Sequence, residues 1–160
     1  MAARLRGIAP GDLETLLELL EADRVFRPGE LEVAREVLEA AVTKGEDSGY
    51  RCAVAEQTGV PVGFACWGPT PCTEGTFDLY WLAVHPRGQR TGVASALLAA
   101  TVDDVVRSRG RLLVVETSGS APYAPAQAFY EAKGFRMAAR IPDFYRPDDP
   151  KVVYTKSLRP

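Results

Sequence analysis

The stretch from Leu79 to Leu98 constrains this chain more than any other. Leu79 to Val84 is an apolar run that favours β-structure, Pro86 turns it, and Arg87 to Gly92 make a polar loop. From Thr91 onward, Ala94, Leu97, Leu98, Thr101 and Val105 recur at helical spacing. A strand therefore feeds a small-residue loop at a helix N-terminus. The first amides of a helix lack internal partners and its dipole is positive there, so the junction attracts an anion. Gly92 has no side chain to obstruct a phosphate, and Arg87 and Arg90 add positive charge at the same mouth. No Gly-Lys-Ser/Thr and no Gly-x-Gly-x-x-Gly stands here, which excludes a nucleoside-triphosphate loop and a dinucleotide fingerprint.

Length and composition fit one domain over 1–160. Of the 160 residues 46% are hydrophobic and 25% charged, ordinary for a globular chain with a single core. A net charge of −2 argues against nucleic acid or a membrane surface as partner. No apolar run reaches the length of a membrane span, and the first residues lack a signal-peptide region, so a cytoplasmic protein is expected. Cys52, Cys66 and Cys72 lack metal-ligand spacing and read as reduced thiols, with no metal expected.

Elements alternate along the chain. Ala3 to Ile8 reads as a strand. Asp12 can cap a helix whose face is Leu13, Leu16, Leu17 and Leu20. After a break from Asp23 to Gly29, a second helix carries Leu31, Ala34, Leu38, Ala41 and Val42. Tyr50 to Glu56 and Val60 to Trp67 read as a hairpin around Gln57-Thr58-Gly59. Thr76 to Val84 is the central strand, where alternation places Asp78, Tyr80 and Leu82 on one face and Leu79, Trp81 and Ala83 on the other. A helix from Thr91 to Arg107, a strand from Leu112 to Thr117 and a short helix holding Tyr130 follow. Strands near Phe135 to Ile141 and Val152 to Lys156 flank a proline-rich loop, Ile141 to Lys151.

Gln89-x-x-Gly92-x-Ala94, after Val84-His85-Pro86 and before Leu97-Leu98, resembles the pyrophosphate loop of the GNAT superfamily of N-acetyltransferases. The segment from Ala126 to Phe135, with Tyr130 and Gly134, resembles that family's last helix and its exit. One departure is Tyr123, which stands where many relatives carry Asn. The element order matches over nearly the whole chain. The resemblance implies an α/β (α+β) GNAT fold: a mixed sheet of about seven strands, splayed between its central pair and flanked by about four helices. It implies acetyl-coenzyme A as cofactor. The loop residues Arg87, Gly88, Gln89, Arg90, Thr91, Gly92, Val93 and Ala94 would hold its diphosphate. Unpaired amides of Leu82, Ala83 and Val84 would pair with its pantetheine arm, itself a row of amides. Tyr130 would sit beside the sulfur and protonate the departing thiolate.

Acetyl transfer to an amine also needs a way to free the amine of its proton. Glu116, ending an apolar strand across the expected gap, is the leading base, reaching the amine directly or through one water. The other reading is a solvated strand-end carboxylate, and Asp78 is the second candidate. His85 is read as a turn residue. In the family the acceptor pocket is built by the first helical hairpin and the loop between the last two strands. Those segments bring Phe26, Asp143, Phe144 and Tyr145 here, and Tyr80 and Trp81 either line the channel or fill core. The aromatics, with Asp143, Asp148 and Asp149, suit a cationic amine; alternatively this is a proline-rigidified turn with solvated aspartates.

The expected function is acetyl-CoA-dependent N-acetyl transfer by direct attack in a ternary complex. The acceptor is a small amine or amino compound, a protein N-terminus or a lysine. The alternative is a non-catalytic acyl-CoA-binding sensor or regulatory module, which would need neither Tyr130 nor Glu116. A scaffold with a degraded site is a third reading, against which the intact Gln89, Gly92 and Ala94 argue. The C-terminal strands could pair between subunits as a homodimer, and nothing in the residues decides it.

Overall fold

Glycines and prolines end the elements close to where the apolar patterns end. The computed structural model describes residues 2–22 and 27–159. It contains β1 (Arg4–Gly7), α1 (Leu13–Ala22), α2 (Pro28–Lys44), β2 (Arg51–Gln57), β3 (Val60–Pro69) and β4 (Thr76–Val84). These are followed by α3 (Val93–Arg107), β5 (Leu112–Ser118), α4 (Ala124–Ala132), β6 (Arg136–Arg146) and β7 (Asp149–Ser157). The β2–β3 hairpin turns at Thr58 and Gly59, whose φ values of 51° and 78° suit a tight turn that follows the strand twist. At the end of α4, Gly134 is left-handed (φ 86°). There the Phe135 amide donates to the Tyr130 carbonyl at 3.0 Å and the Gly134 amide to that of Glu131 at 3.1 Å. This closure fixes the helix end and with it the position of Tyr130.

The strands form one seven-stranded sheet in the order β1-β2-β3-β4-β5-β7-β6. β4 and β5 are parallel, and the other neighbours are antiparallel. One face packs on α3 and α4 through Val93, Leu97, Val105 and Tyr130; the other packs on α1 and α2 through Leu16, Leu20, Ala34 and Leu38. β4 and β5 pair only from Thr76↔Leu112 to Leu79↔Val115. Beyond that point β4 stays on β3 and β5 stays on β7, so the two central strands part. The mixed sheet with splayed central strands is the expected fold.

β4 departs from the expected alternation. Cys66 faces Trp81 and Trp67 faces Leu79, so Tyr80 is an extra residue in the ladder. A bulge turns the strand. Leu79 packs on the α3–α4 side, as do Leu82 and Val84, whereas Trp81 and Ala83 pack on the α1–α2 side. Tyr80 is left 36% exposed. The segment Ile141 to Lys151 also differs from the loop expected of it. β6 continues through it to Arg146, with Ile141 opposite Lys151 and Arg146 opposite Asp149, so residues 142–145 arch out of the ladder. Pro142 is tolerated because β6 is an edge strand, where no neighbour needs its missing N–H.

Asp12 does something other than cap α1. Its buried carboxylate accepts the Ala9 amide at 2.8 Å and both ends of the Arg6 guanidinium at 2.7 and 2.8 Å, tying β1 to α1. The hydrogen-bonded Arg6 holds this carboxyl below its usual value. We expect Asp12→Asn to lower the unfolding free energy by about 2 kcal/mol, since it removes the carboxylate that grips both ends of the Arg6 guanidinium and leaves Glu56 as its one charged partner. A group lowered in the fold stabilises above its unfolded value, and that contribution is lost as pH falls through its folded value. The stability gap between the two proteins, followed by urea unfolding, should therefore close on acidification. A gap independent of pH would assign the loss to packing.

Candidate active site

Where β4 and β5 part, a cleft of about 570 Å³ opens. β4 supplies Leu82, Ala83 and Val84 to its wall, and β5 supplies Val115 to Ser118. Ala126, Phe129 and Tyr130 of α4 face them, with Pro122 and Tyr123 from the preceding turn. A smaller hollow of about 210 Å³, sharing Gln89, Arg90 and Ala94 with the first, is bordered by Gly88, Gly92, Val93 and Ser95. The edge of β4 beyond Leu79 has no β5 partner, so its backbone can pair with an extended amide-bearing chain.

The loop between β4 and α3 is wound by local bonds. His85 Nδ1 accepts the Arg87 amide at 3.1 Å, which makes His85 a turn residue. The Gly88 amide donates to the His85 carbonyl at 2.8 Å, and the Thr91 hydroxyl closes onto the Gly88 carbonyl. Gly92 precedes α3 with φ 83°, a conformation that favours glycine. The Ala96 amide is bonded to the Gly92 carbonyl at 3.0 Å, and amides ahead of it in the first turn have no helical carbonyl behind them. Apart from Gly92 and its two chain neighbours, no atom of the described residues lies within 4 Å of the point where a Gly92 Cβ would stand. Gly88, Gln89, Arg90, Gly92, Val93 and Ala94 thus border the hollows. Arg87 does not; its guanidinium donates to the Pro61 carbonyl at 3.1 Å. Thr91 serves to close the loop.

Tyr130 is 6% exposed, its ring packed on Phe129, Phe135 and Tyr154 at centroid distances of 5.5, 5.3 and 6.3 Å. Burial pushes its phenol well above the ordinary tyrosine value. Its hydroxyl has no hydrogen-bond partner among the described residues, yet no sealed side-chain atom there lacks one. The hydroxyl is therefore open to the cleft that the residue lines. Glu116 lines the same cleft from β5 and is gripped by Lys151, whose Nζ lies 2.6 Å from its carboxylate and 4.4 Å from the Phe144 ring centre. Asp78 is elsewhere: it sits in the paired part of β4, accepts from the Thr70 hydroxyl at 2.7 Å and is not among the cleft residues. Tyr80 lines the cleft, with its phenol pushed up to about 12 by burial and then by the charge of Asp78.

The other acceptor candidates separate. Phe26 lies outside the described residues. Asp143 faces its own hairpin turn and accepts the Asp148 amide at 2.8 Å. Phe144 reaches the cleft indirectly, through Lys151 and Glu116. Tyr145 carries the Arg27 guanidinium over its ring at 5.0 Å. Arg27 in turn donates to Asp149 at 3.2 Å, and Asp149, only 3% exposed, also accepts from Ser118 of the cleft wall and pairs with Arg146 at 3.3 Å. Arg27 and Ser118, which hold Asp149, and Lys151, which holds Glu116, escaped the reading of site residues from sequence. The only signal was position: Ser118 follows Glu116 by two on an alternating strand, and Arg27 adjoins Phe26.

An open strand edge, a helix N-terminus and a buried phenol on one cleft form the architecture of a coenzyme A-dependent acyltransferase. A family model for the acetyltransferase (GNAT) domain matches residues 48–137, more than half of the chain. A crystal structure from Desulfovibrio desulfuricans, assigned to GNAT acetyltransferases, shares 41% identity over 99% of this chain and 100% of that one, with TM-score 0.94. The Escherichia coli ribosomal-protein-S18-alanine N-acetyltransferase matches at 19% identity over 99% of this chain and 95% of that one, with TM-score 0.80. YncA of Salmonella typhimurium, solved with its cofactor acetyl-CoA, matches at 19% identity over 100% and 96%, with TM-score 0.79. Both of these show a shared fold. No curated protein gives a significant match. The chain belongs to the GNAT family of acetyltransferases. No helix among the described residues is long and apolar enough to cross a membrane.

Proposed function

We propose that this protein is an N-acetyltransferase that moves the acetyl group of acetyl-CoA to a primary amine by direct attack in a ternary complex. The observation that carries the reading is the Tyr130 hydroxyl, open to the cleft from an otherwise buried side chain, with Glu116 on the strand across the gap. A protein that only binds acyl-CoA needs neither group there. Acetyl-CoA supplies an acetyl carbon bonded to a good leaving sulfur. The diphosphate is assigned to Gly88, Gln89, Arg90, Gly92, Val93 and Ala94, and the pantetheine arm to the open edge at Leu82, Ala83 and Val84. A free β4 amide donates to the thioester oxygen and supports the negative charge that develops as the amine attacks.

As the new C–N bond forms, Glu116 takes up the amine proton, directly or through one water. As the C–S bond breaks, Tyr130 gives its proton to the sulfur and regains one from solvent. Burial keeps the phenol protonated and penalises a phenolate, so transfer occurs only once charge has developed on sulfur. Glu116→Gln should flatten the acidic limb of the kcat/KM profile; an unaltered limb would pass the proton to bulk water. Calorimetric titration with acetyl-CoA beside its dephosphorylated pantetheine fragment tests the cleft assignment. We expect tight binding of the first and loss with the second. Failure of a folded protein to bind acetyl-CoA would overturn the reading.

A further inference from the structure

The acidic segment at the acceptor end suggests a cleft built to attract a bare cation, and the side-chain bonds reverse that. Asp149 is enclosed by Ser118, Arg27 and Arg146. Glu30 accepts the Arg27 backbone amide at 2.6 Å. Glu116 is held by Lys151, and Asp143 turns back into its hairpin. The carboxylates nearest the cleft are engaged, whereas one guanidinium among their partners keeps donors to spare.

Arg27 is the clearest case. A guanidinium has five N–H donors in a planar fork. Among the described residues one side-chain bond engages it, to Asp149 at 3.2 Å, and the side chain stays 33% exposed. The Tyr145 ring beneath it and Asp149 beside it hold its plane, so gripping a further oxyanion costs little side-chain freedom. Its placement is set by Asp149, which is bonded to the cleft residue Ser118. A second guanidinium stands nearby: Arg140 makes no ion pair among the described residues, and its Nη1 lies 3.0 Å from where a Cβ on Gly119, the residue after Ser118, would stand.

We propose that the acceptor is a small amine that carries an oxyanion of its own, a carboxylate or a phosphate ester, and that Arg27 grips this oxyanion while the amine is presented at Glu116. The inference rests on the transferase reading above. It makes Arg27 a specificity-determining residue and turns the acceptor class from amines at large to amino acids or amino phosphates.

The test is thiol release from acetyl-CoA by the full chain, using L-amino acids against their α-amides and O-phosphoethanolamine against ethanolamine. At least one oxyanion-bearing amine should exceed its neutral counterpart in kcat/KM by about tenfold or more, as bidentate charge-assisted recognition provides. The pair that responds identifies the oxyanion. Arg27→Gln should raise KM for that acceptor about tenfold, hold kcat within about twofold and leave neutral amines unchanged, with Arg27→Lys recovering part of the loss. Preference for the amides or ethanolamine would overturn the proposal, and so would an Arg27→Gln variant that loses all acceptors equally, because Arg27 would then only brace the site. Faster release with neutral amines would sink this inference alone. Binding of acetyl-CoA with no amine-dependent release would sink the transferase reading and this inference with it.

Discussion

Tyr130→Phe should lower kcat by about 10²-fold or more while acetyl-CoA affinity changes by less than about twofold. The ring contacts with Phe129, Phe135 and Tyr154 survive the substitution, and the lost hydroxyl has no partner among the described residues. Folding should therefore be untouched, with an unchanged melting temperature as the control. The loss should appear in single-turnover thiol release, which isolates the chemical step. Because burial raises the phenol, the acid stays in its protonated form past the ordinary tyrosine value. Its sign is that of a group needed protonated: activity through Tyr130 is present at low and neutral pH and does not fade as pH rises toward about 10. A Tyr130→Phe enzyme with wild-type single-turnover rates would remove the acid from the mechanism.

Gly92→Val should weaken acetyl-CoA binding by about 100-fold or more, with kcat at saturation less affected. Two causes act together. The position has φ 83°, where a β-branched residue is strained by about 1–3 kcal/mol. A side chain there also projects into space that no other described residue fills, at the start of α3, whose first amides lack helical partners. Gly92→Asn separates the two, because Asn tolerates a left-handed backbone. If obstruction dominates, Asn keeps the melting temperature near wild type and still loses most of the affinity. If the Val variant binds acetyl-CoA as the wild type does, the diphosphate lies elsewhere.

Much of the fold is local and was legible. β4 runs from Thr76 to Val84 as its apolar pattern indicates, and α3 begins two residues after the expected Thr91 because Gly92 takes the left-handed conformation at its start. The phosphate-loop pattern and the Tyr130 helix were legible for the same reason: strand, turn and helix signals lie within a few residues of one another, so neighbours along the chain decide them. Gln89, Gly92, Ala94 and Tyr130 accordingly fall on the cleft where the motif puts them.

Tertiary structure decided the rest. Alternation along β4 misplaces Leu79, since the Tyr80 bulge arises from pairing with Cys66 and Trp67 and leaves no mark in the strand itself. The prolines between Ile141 and Lys151 read as a loop, yet Pro142 lies within the edge strand β6, where no neighbour needs its missing N–H, Pro150 lies within β7, and Pro147 alone of the three stands in the turn. Asp149 reads as a group suited to a cationic amine or as a solvated aspartate, and it is buried, because Arg27, 122 positions away, and Ser118 come to meet it. The family resemblance, the loop pattern around Gly92 and the helix that carries Tyr130 could be read from the chain alone. Only the packing of distant elements decided which carboxylates are engaged and how Arg27 is held, because that choice depends on partners with no fixed spacing along the chain.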